Sequence, residues 1–164
     1  MVNPTGCYAA EVTVFAFSTH AILGGDCAAR VISTLPATLD DDTRFCVRVC
    51  LHEALYNAAL HGNLGIDDIH HTGITQQVQE RLKDPHWGSR PVYVTCDITG
   101  QDVCIAVQDF GEGSVNLPPL NTCSDIRGLS LMHRLSHDVT FDPTIRTLMM
   151  RFLRKGASDA TPAP

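Results

Sequence analysis

The stretch DDTRFCVRVCLHEALYNAALHGN, residues 41–63, decides how this chain is read. Asp40, Asp41, Asp42 and Thr43 make an acidic start rich in capping side chains, suited to the positive end of a helix dipole. Behind it Phe45, Val47, Val49, Leu51, Ala54, Leu55 and Ala58 recur at helical intervals up to Leu60. The spacing predicts a helix over 42–61, stopped by Gly62 and Gly65. Glu53, Asn57 and His61 stand at i, i+4 and i+8 on that helix. At 100° per residue they drift by only about 80°, so they share one face. A polar stripe of this kind is most often a solvated surface, and its meaning depends on what surrounds it.

Upstream, EVTVFAF at 11–17 alternates and is rich in β-branched and aromatic residues, so it reads as a strand. Ser18 or Thr19 can cap a following helix that runs to about Leu35 and ends at Pro36. Downstream, 65–90 is polar, with room for a short helix before Pro85 but no continuous apolar face, and reads as a surface insertion. Pro91–Ile98 and Asp102–Gln108 alternate on either side of Thr99, Gly100 and Gln101, as an antiparallel hairpin does. A long loop spans 109–127. A helix follows over 128–136 with Leu129, Met132, His133 and Leu135 inward, then strands at 138–141 and 144–153. This order predicts an α+β fold, a two-layer sandwich whose mixed, mostly antiparallel sheet is covered on one face by about three helices.

A chain of 164 residues suits one domain. Twelve Lys and Arg against 18 Asp and Glu leave a net charge of −6, which supplies no basic footprint for nucleic acid or anionic lipid. No apolar run approaches the ~20 residues of a membrane span, and residues 1–11 lack the basic start of a signal peptide, so a cytoplasmic protein is expected. The seven cysteines are scattered without a CxxC pair and read as reduced, mostly buried thiols. Of the eight histidines, His133 and His137 stand at i, i+4, but no third or fourth ligand has a conventional spacing, and they read as polar residues at the core's edge.

Two further segments give the stripe company. DFGEG, residues 109–113, follows a strand directly, and Gly111 and Gly113 let the backbone turn tightly beside a carboxylate. Alone, a glycine bulge in a hairpin would look the same. Arg127-Gly128-Leu129-Ser130-Leu131 puts a glycine at the head of an amphipathic helix, where free N–H groups and the dipole favour anions; an ordinary loop-to-helix junction is the competing reading.

In this order and spacing, ExxxNAxxHGN at 53–63, DxGxG at 109–113 and RGLxLM at 127–132 resemble the ATP-binding domain shared by gyrase and the histidine kinases (the GHKL, or Bergerat, fold). Within that superfamily the chain looks most like the anti-sigma-factor serine/threonine kinases of bacterial partner switching. The resemblance covers about residues 11–154. It implies an ATP-binding domain over 11–155, with residues 1–10 as an N-terminal segment, 65–90 as an insertion, 114–127 as the lid over the nucleotide and 156–164 as a disordered tail. It further implies ATP and Mg²⁺ as ligands. Asn57 would hold the metal, Glu53 would polarise the attacking hydroxyl, and Asp109 would receive the adenine amine. Gly111 and Gly113 would shape the nucleotide loop, and Arg127, Gly128, Leu129 and Ser130 would meet the phosphates. His61 occupies a slot near the phosphates in the family, or is simply a satisfied polar residue at the helix end.

The departures are informative. Ser130 stands where many relatives have a second glycine. Arg146-Thr147 replaces a common Gly-Thr pair, with Arg146 either near the nucleotide or projecting into solvent. The partners implied are an anti-anti-sigma (STAS-type) protein, a sigma factor, or both, with a homodimer as a family expectation. The function implied is that of a protein kinase acting on a small regulatory domain. A nucleotide-gated binding module without turnover is the alternative.

Overall fold

The computed structural model describes residues 11–66, 73–112 and 127–154. The expected N-terminal segment, the tail and nearly all of the lid lie outside these residues, as do residues 67–72 of the insertion.

Five strands form one sheet: β1 (Glu11–Ser18), β2 (Pro91–Ile98), β3 (Asp102–Asp109), β4 (Asp138–Asp142) and β5 (Thr147–Leu153). Their spatial order is β1-β2-β3-β5-β4, and every pairing is antiparallel, so the sheet has no parallel component. The α+β sandwich expected from the element order is present. Alternation sets the two faces. Phe17 on β1, Val92, Val94 and Cys96 on β2, Val103, Ile105 and Val107 on β3, and Met150 and Phe152 on β5 are buried in the main core. On the opposite face Val12, Val14, Tyr93 and Met149 are exposed.

The helix expected over 19–35 is two short ones, α1 (Thr19–Gly24) and α2 (Cys27–Ile32). Gly24 and Gly25 end the first, and Asp26 starts the second by accepting a hydrogen bond from the Ala29 N–H at 2.9 Å. Ser18 caps α1 in the same way through the Ala21 N–H. The central helix α3 (Asp41–Asn57) begins as expected: the Asp40 carboxylate accepts from the Thr43 N–H at 2.9 Å and from the Thr43 hydroxyl at 2.7 Å. Its inner face is Val47, Cys50, Leu51, Ala54 and Leu55, spaced i, i+3, i+4, i+7 and i+8. Phe45, expected in that series, is exposed instead.

α3 does not stop at residue 61. It widens into a π turn over Ala58–Asn63. After it α4 (Ile74–Lys83) and α5 (Pro85–Gly88) fill the insertion. Contrary to the sequence reading, α4 has an apolar stripe. Ile74, Val78 and Leu82 lie four residues apart and, with Trp87, pack against Leu60, Leu64 and Ile66 to make a second small core under the π turn. Arg90 stacks over Trp87 at 4.3 Å and donates to the Asn63 carbonyl. Finally α6 (Arg127–Leu135) lies against α3 with Leu129 and Met132 buried. Among the described residues no helix is long and apolar enough to cross a membrane.

Cys27, Cys46, Cys50, Cys96 and Cys104 are free thiols. Burial pushes Cys50 up from 9.0 to about 12 and Cys96 from 9.0 to about 11. Both thiols stay neutral in the folded chain at a pH where the unfolded chain ionises them. Their contribution to stability is therefore complete below pH 9.0 and is lost as pH rises through about 11 and 12. Urea titrations between pH 7 and 11 should show stability falling above about pH 9, less steeply after Cys50→Ala. Native thiol titration with a water-soluble disulfide reagent should leave Cys50 and Cys96 unreacted.

Candidate functional site

The polar stripe of α3 faces the first turn of α6. A Cβ added to Gly128 would lie 2.6 Å from Glu53 Oε2 and 3.6 Å from Asn57 Nδ2. The helix head therefore sits directly on the two side chains singled out in α3, and a side chain at position 128 would have to displace the Glu53 carboxylate. Glu53 and Asn57 are both half-buried. Leu129 faces the core, so what it can offer a ligand is its backbone, and Ser130 is half-buried beside it. Arg127 opens the helix, and Gly113 lies outside the described residues.

The second half of the site is the end of β3. Asp109 is buried, at 8% exposure, against the π turn: a Cβ on Gly62 would lie 2.4 Å from Asp109 Cγ. Gly111 closes the contact from the other side, where an added Cβ would come within 1.7 Å of the Gly62 carbonyl oxygen. Real Cβ atoms do not approach so closely, so the π turn and the loop after β3 interlock through two glycines. Asp109 Oδ1 accepts from the Gly111 N–H at 3.0 Å and from Arg146 Nε–H at 2.6 Å. Arg146 therefore does not project into solvent. It pairs with the aspartate on which base recognition was expected to rest.

His61 sits at the end of the stripe with its Nδ1–H donating to the Ile66 carbonyl at 2.6 Å. That bond gives it a role in holding the chain as it leaves the π turn. The expectation of Glu53, Asn57 and His61 on one helical face holds for the first two, whereas His61 lies in the π turn, where the 3.6-residue period no longer applies.

Asn63, the last residue of the ExxxNAxxHGN motif, has no role implied by the resemblance, yet among the described residues its side chain is the most fully bonded in the site. It is wholly buried. Its amide donates to Thr19 Oγ1 at 2.9 Å, to the Pro91 carbonyl at 3.0 Å and to the Arg90 carbonyl at 3.3 Å, while its oxygen accepts from the Phe110 N–H at 3.0 Å. One side chain thus ties the π turn to the start of β2 and to the loop after β3. A buried amide must satisfy all its bonds, and an Asn directly after the helix-stopping glycine was the available signal. Arg90 adds a second tie, from the Asn63 carbonyl at 3.2 Å to the Glu112 carboxylate at 3.5 Å.

The arrangement joins a carboxylate and an amide beneath a helix N-terminus, and a buried carboxylate at a strand end beside a glycine loop. The family model described as the histidine kinase-like ATPase domain matches residues 26–152. The chain belongs to this family. No curated protein matches it. In this ATPase domain α3, β2, β3, α6, β4 and all but the last residue of β5 lie within the matched span, whereas β1 precedes it and is held by its pairing with β2. Among the described residues no group of three or more His, Cys, Asp or Glu is arranged to hold a metal ion.

Gly111→Ala should destabilise the domain by at least the ~1–3 kcal/mol typical of overpacking, because the obstacle is backbone and cannot rotate away. Asn63→Ala should cost about 2–3 kcal/mol by orphaning buried polar groups. Both are read by chemical denaturation.

Proposed function

We propose that this ATPase domain is an ATP- and Mg²⁺-dependent serine/threonine protein kinase of the anti-sigma-factor type, acting on an anti-anti-sigma (STAS-type) partner and able to hold a sigma factor. The observation that carries the reading is the seat of Gly128 on Glu53 and Asn57. Phosphates bound by the free N–H groups of α6 would lie beside a carboxylate able to act as a base.

The residues present suit both ligands. Glycine at position 128 leaves the amides at the head of α6 without a covering side chain, so that they can meet phosphate oxygens. Asn57 contributes a hard amide oxygen, and the site can hold an ion through one or two protein oxygens together with substrate phosphates, as Mg²⁺ prefers. Mg²⁺ bound there would neutralise phosphate charge during transfer.

Each side chain then has a task. Asp109 accepts from the adenine amine, while Gly111 and Gly113 let the backbone approach the base. Arg127, Gly128, Leu129 and Ser130 meet the phosphates, the last three through their amides. Glu53 orients the partner's hydroxyl and takes its proton as the oxygen attacks phosphorus. His61 supports the turn that follows rather than meeting phosphate, which its bond to Ile66 favours. A cytoplasmic site and a homodimer accord with this class of function.

In a thermal-shift titration, Mg-ATP at 100 times its dissociation constant adds about 2.7 kcal/mol, or roughly 5–11 °C for a domain of this size. Asn57→Ala should abolish the Mg-dependent part of that shift. Glu53→Ala should keep the shift and lose transfer of labelled phosphate to a STAS-type substrate. A shift without transfer in the unaltered protein would favour a nucleotide-gated binding module. No shift with ATP, ADP or GTP would end the kinase reading.

A further inference from the structure

The pair formed by Asp109 and Arg146 is not required by anything in the reaction described above. Arg146 ends the turn between β4 and β5, and its φ is +51°, making it the one non-glycine residue in the left-handed region among the described residues. A residue with a side chain is strained there and persists only where its surroundings fix it. They do so here. The Arg146 carbonyl accepts from the Asp109 N–H at 3.3 Å, the Ile145 carbonyl accepts from Gln108 Nε2–H at 2.9 Å, and the Thr147 hydroxyl donates to the same carbonyl at 3.1 Å. The turn is pinned to the end of β3 in a conformation that glycine would adopt without strain, yet it presents an arginine. That arginine's Nε–H lies 2.6 Å from Asp109 Oδ1, with the two side chains 18% and 10% exposed.

Resting on the reading of Asp109 as the base-recognising residue, we propose that Arg146 is a specificity-determining residue of the base pocket, a resident competitor that weakens the hold of Asp109 on the 6-amino group of a purine. The reason is electrostatic. A neutral amine gains most from a carboxylate whose charge is not already compensated. Asp109 Oδ1 already receives two donors, the Gly111 N–H and the guanidinium. An amine arriving at this carboxylate shares it with a full positive charge, so the base contributes less to binding than the triphosphate does. The chain should therefore discriminate poorly between purine triphosphates that have and lack the 6-amino group.

The test uses the full chain and two probes, Mg-ATP and the Mg complex of purine riboside 5′-triphosphate, which lacks only the amino group. Dissociation constants are measured by calorimetry for the unaltered protein, for Arg146→Gly and for Arg146→Lys. Glycine fits the left-handed backbone, so folding is not at risk, and circular dichroism checks it. The unaltered protein should bind the two probes within about threefold. Arg146→Gly should bind ATP about tenfold more tightly while its affinity for the amine-free probe barely moves, the size of one recovered charge-assisted hydrogen bond. Arg146→Lys, which keeps the charge, should stay near the unaltered protein. If Arg146→Gly leaves the ratio between the probes unchanged, or shifts both affinities in parallel, Arg146 only braces the turn and the proposal fails while the ATP site stands. If neither protein binds either probe, the ATP-site reading fails and the proposal with it.

Discussion

Two peptide groups meet where no side chain could stand. The Gly62 carbonyl lies against Gly111, and Asp109 fills the space that a side chain on Gly62 would need. This contact joins the end of the central helix to the end of a central strand, two segments far apart in the chain. The Asp109 side of the candidate site depends on it. Asp109 is buried without being isolated, because its carboxylate finds a backbone N–H and a guanidinium in the same place. Buried polar groups are stable only when hydrogen-bonded, and here the close approach of the two glycines brings the Gly111 N–H within reach of the carboxylate.

The π turn is the means by which helix and strand reach each other. One extra residue in the helical repeat widens the backbone where α3 would otherwise continue, and it redirects Gly62 and Asn63 toward β2 and β3. Asn63 then holds three separate segments through four hydrogen bonds from a single buried amide. The helices of the insertion lie beneath the same turn, with Trp87 and the stripe of α4 covering Leu60, Leu64 and Ile66. A π turn gives up regular hydrogen bonding, and here buried apolar packing on one side and the Asn63 network on the other offset that loss.

The Gly128 side of the candidate site is built differently, by one close approach between two helices. Gly128 brings the head of α6 onto Glu53 and Asn57, so that a positive helix end meets a carboxylate and an amide with no side chain between them. The two ends of the site thus share a device. In each, a glycine allows backbone to approach a polar side chain that the rest of the fold positions from another element, and in each the side chain belongs to a residue whose backbone is fixed by regular structure.

The sequence by itself determined the alternating strands, the capped central helix, the hairpin at residues 99–101 and the α+β layering, because periods of 2 and 3.6 residues are local properties of the chain. Its motifs, through their resemblance to a known family, also suggested a common site for Glu53, Asn57, Asp109 and Gly128, of which the structure sets Gly128 against Glu53 and Asn57. What it left undetermined has a common physical character. The purely antiparallel order β1-β2-β3-β5-β4, the break between α1 and α2, the exposure of Phe45 and the apolar stripe of α4 each depend on which surfaces meet after the chain has folded. So do the bonds of Asn63 and Arg146. Asn63 has no evident role in the sequence, and gains one only when the Thr19 hydroxyl and the backbones of Pro91 and Phe110 converge on it. Arg146 reads either as a neighbour of the nucleotide or as a surface cation until the turn that carries it docks on β3 and sets it against Asp109. Long-range pairings of this sort leave no periodic trace in the sequence, and only the tertiary structure decides them.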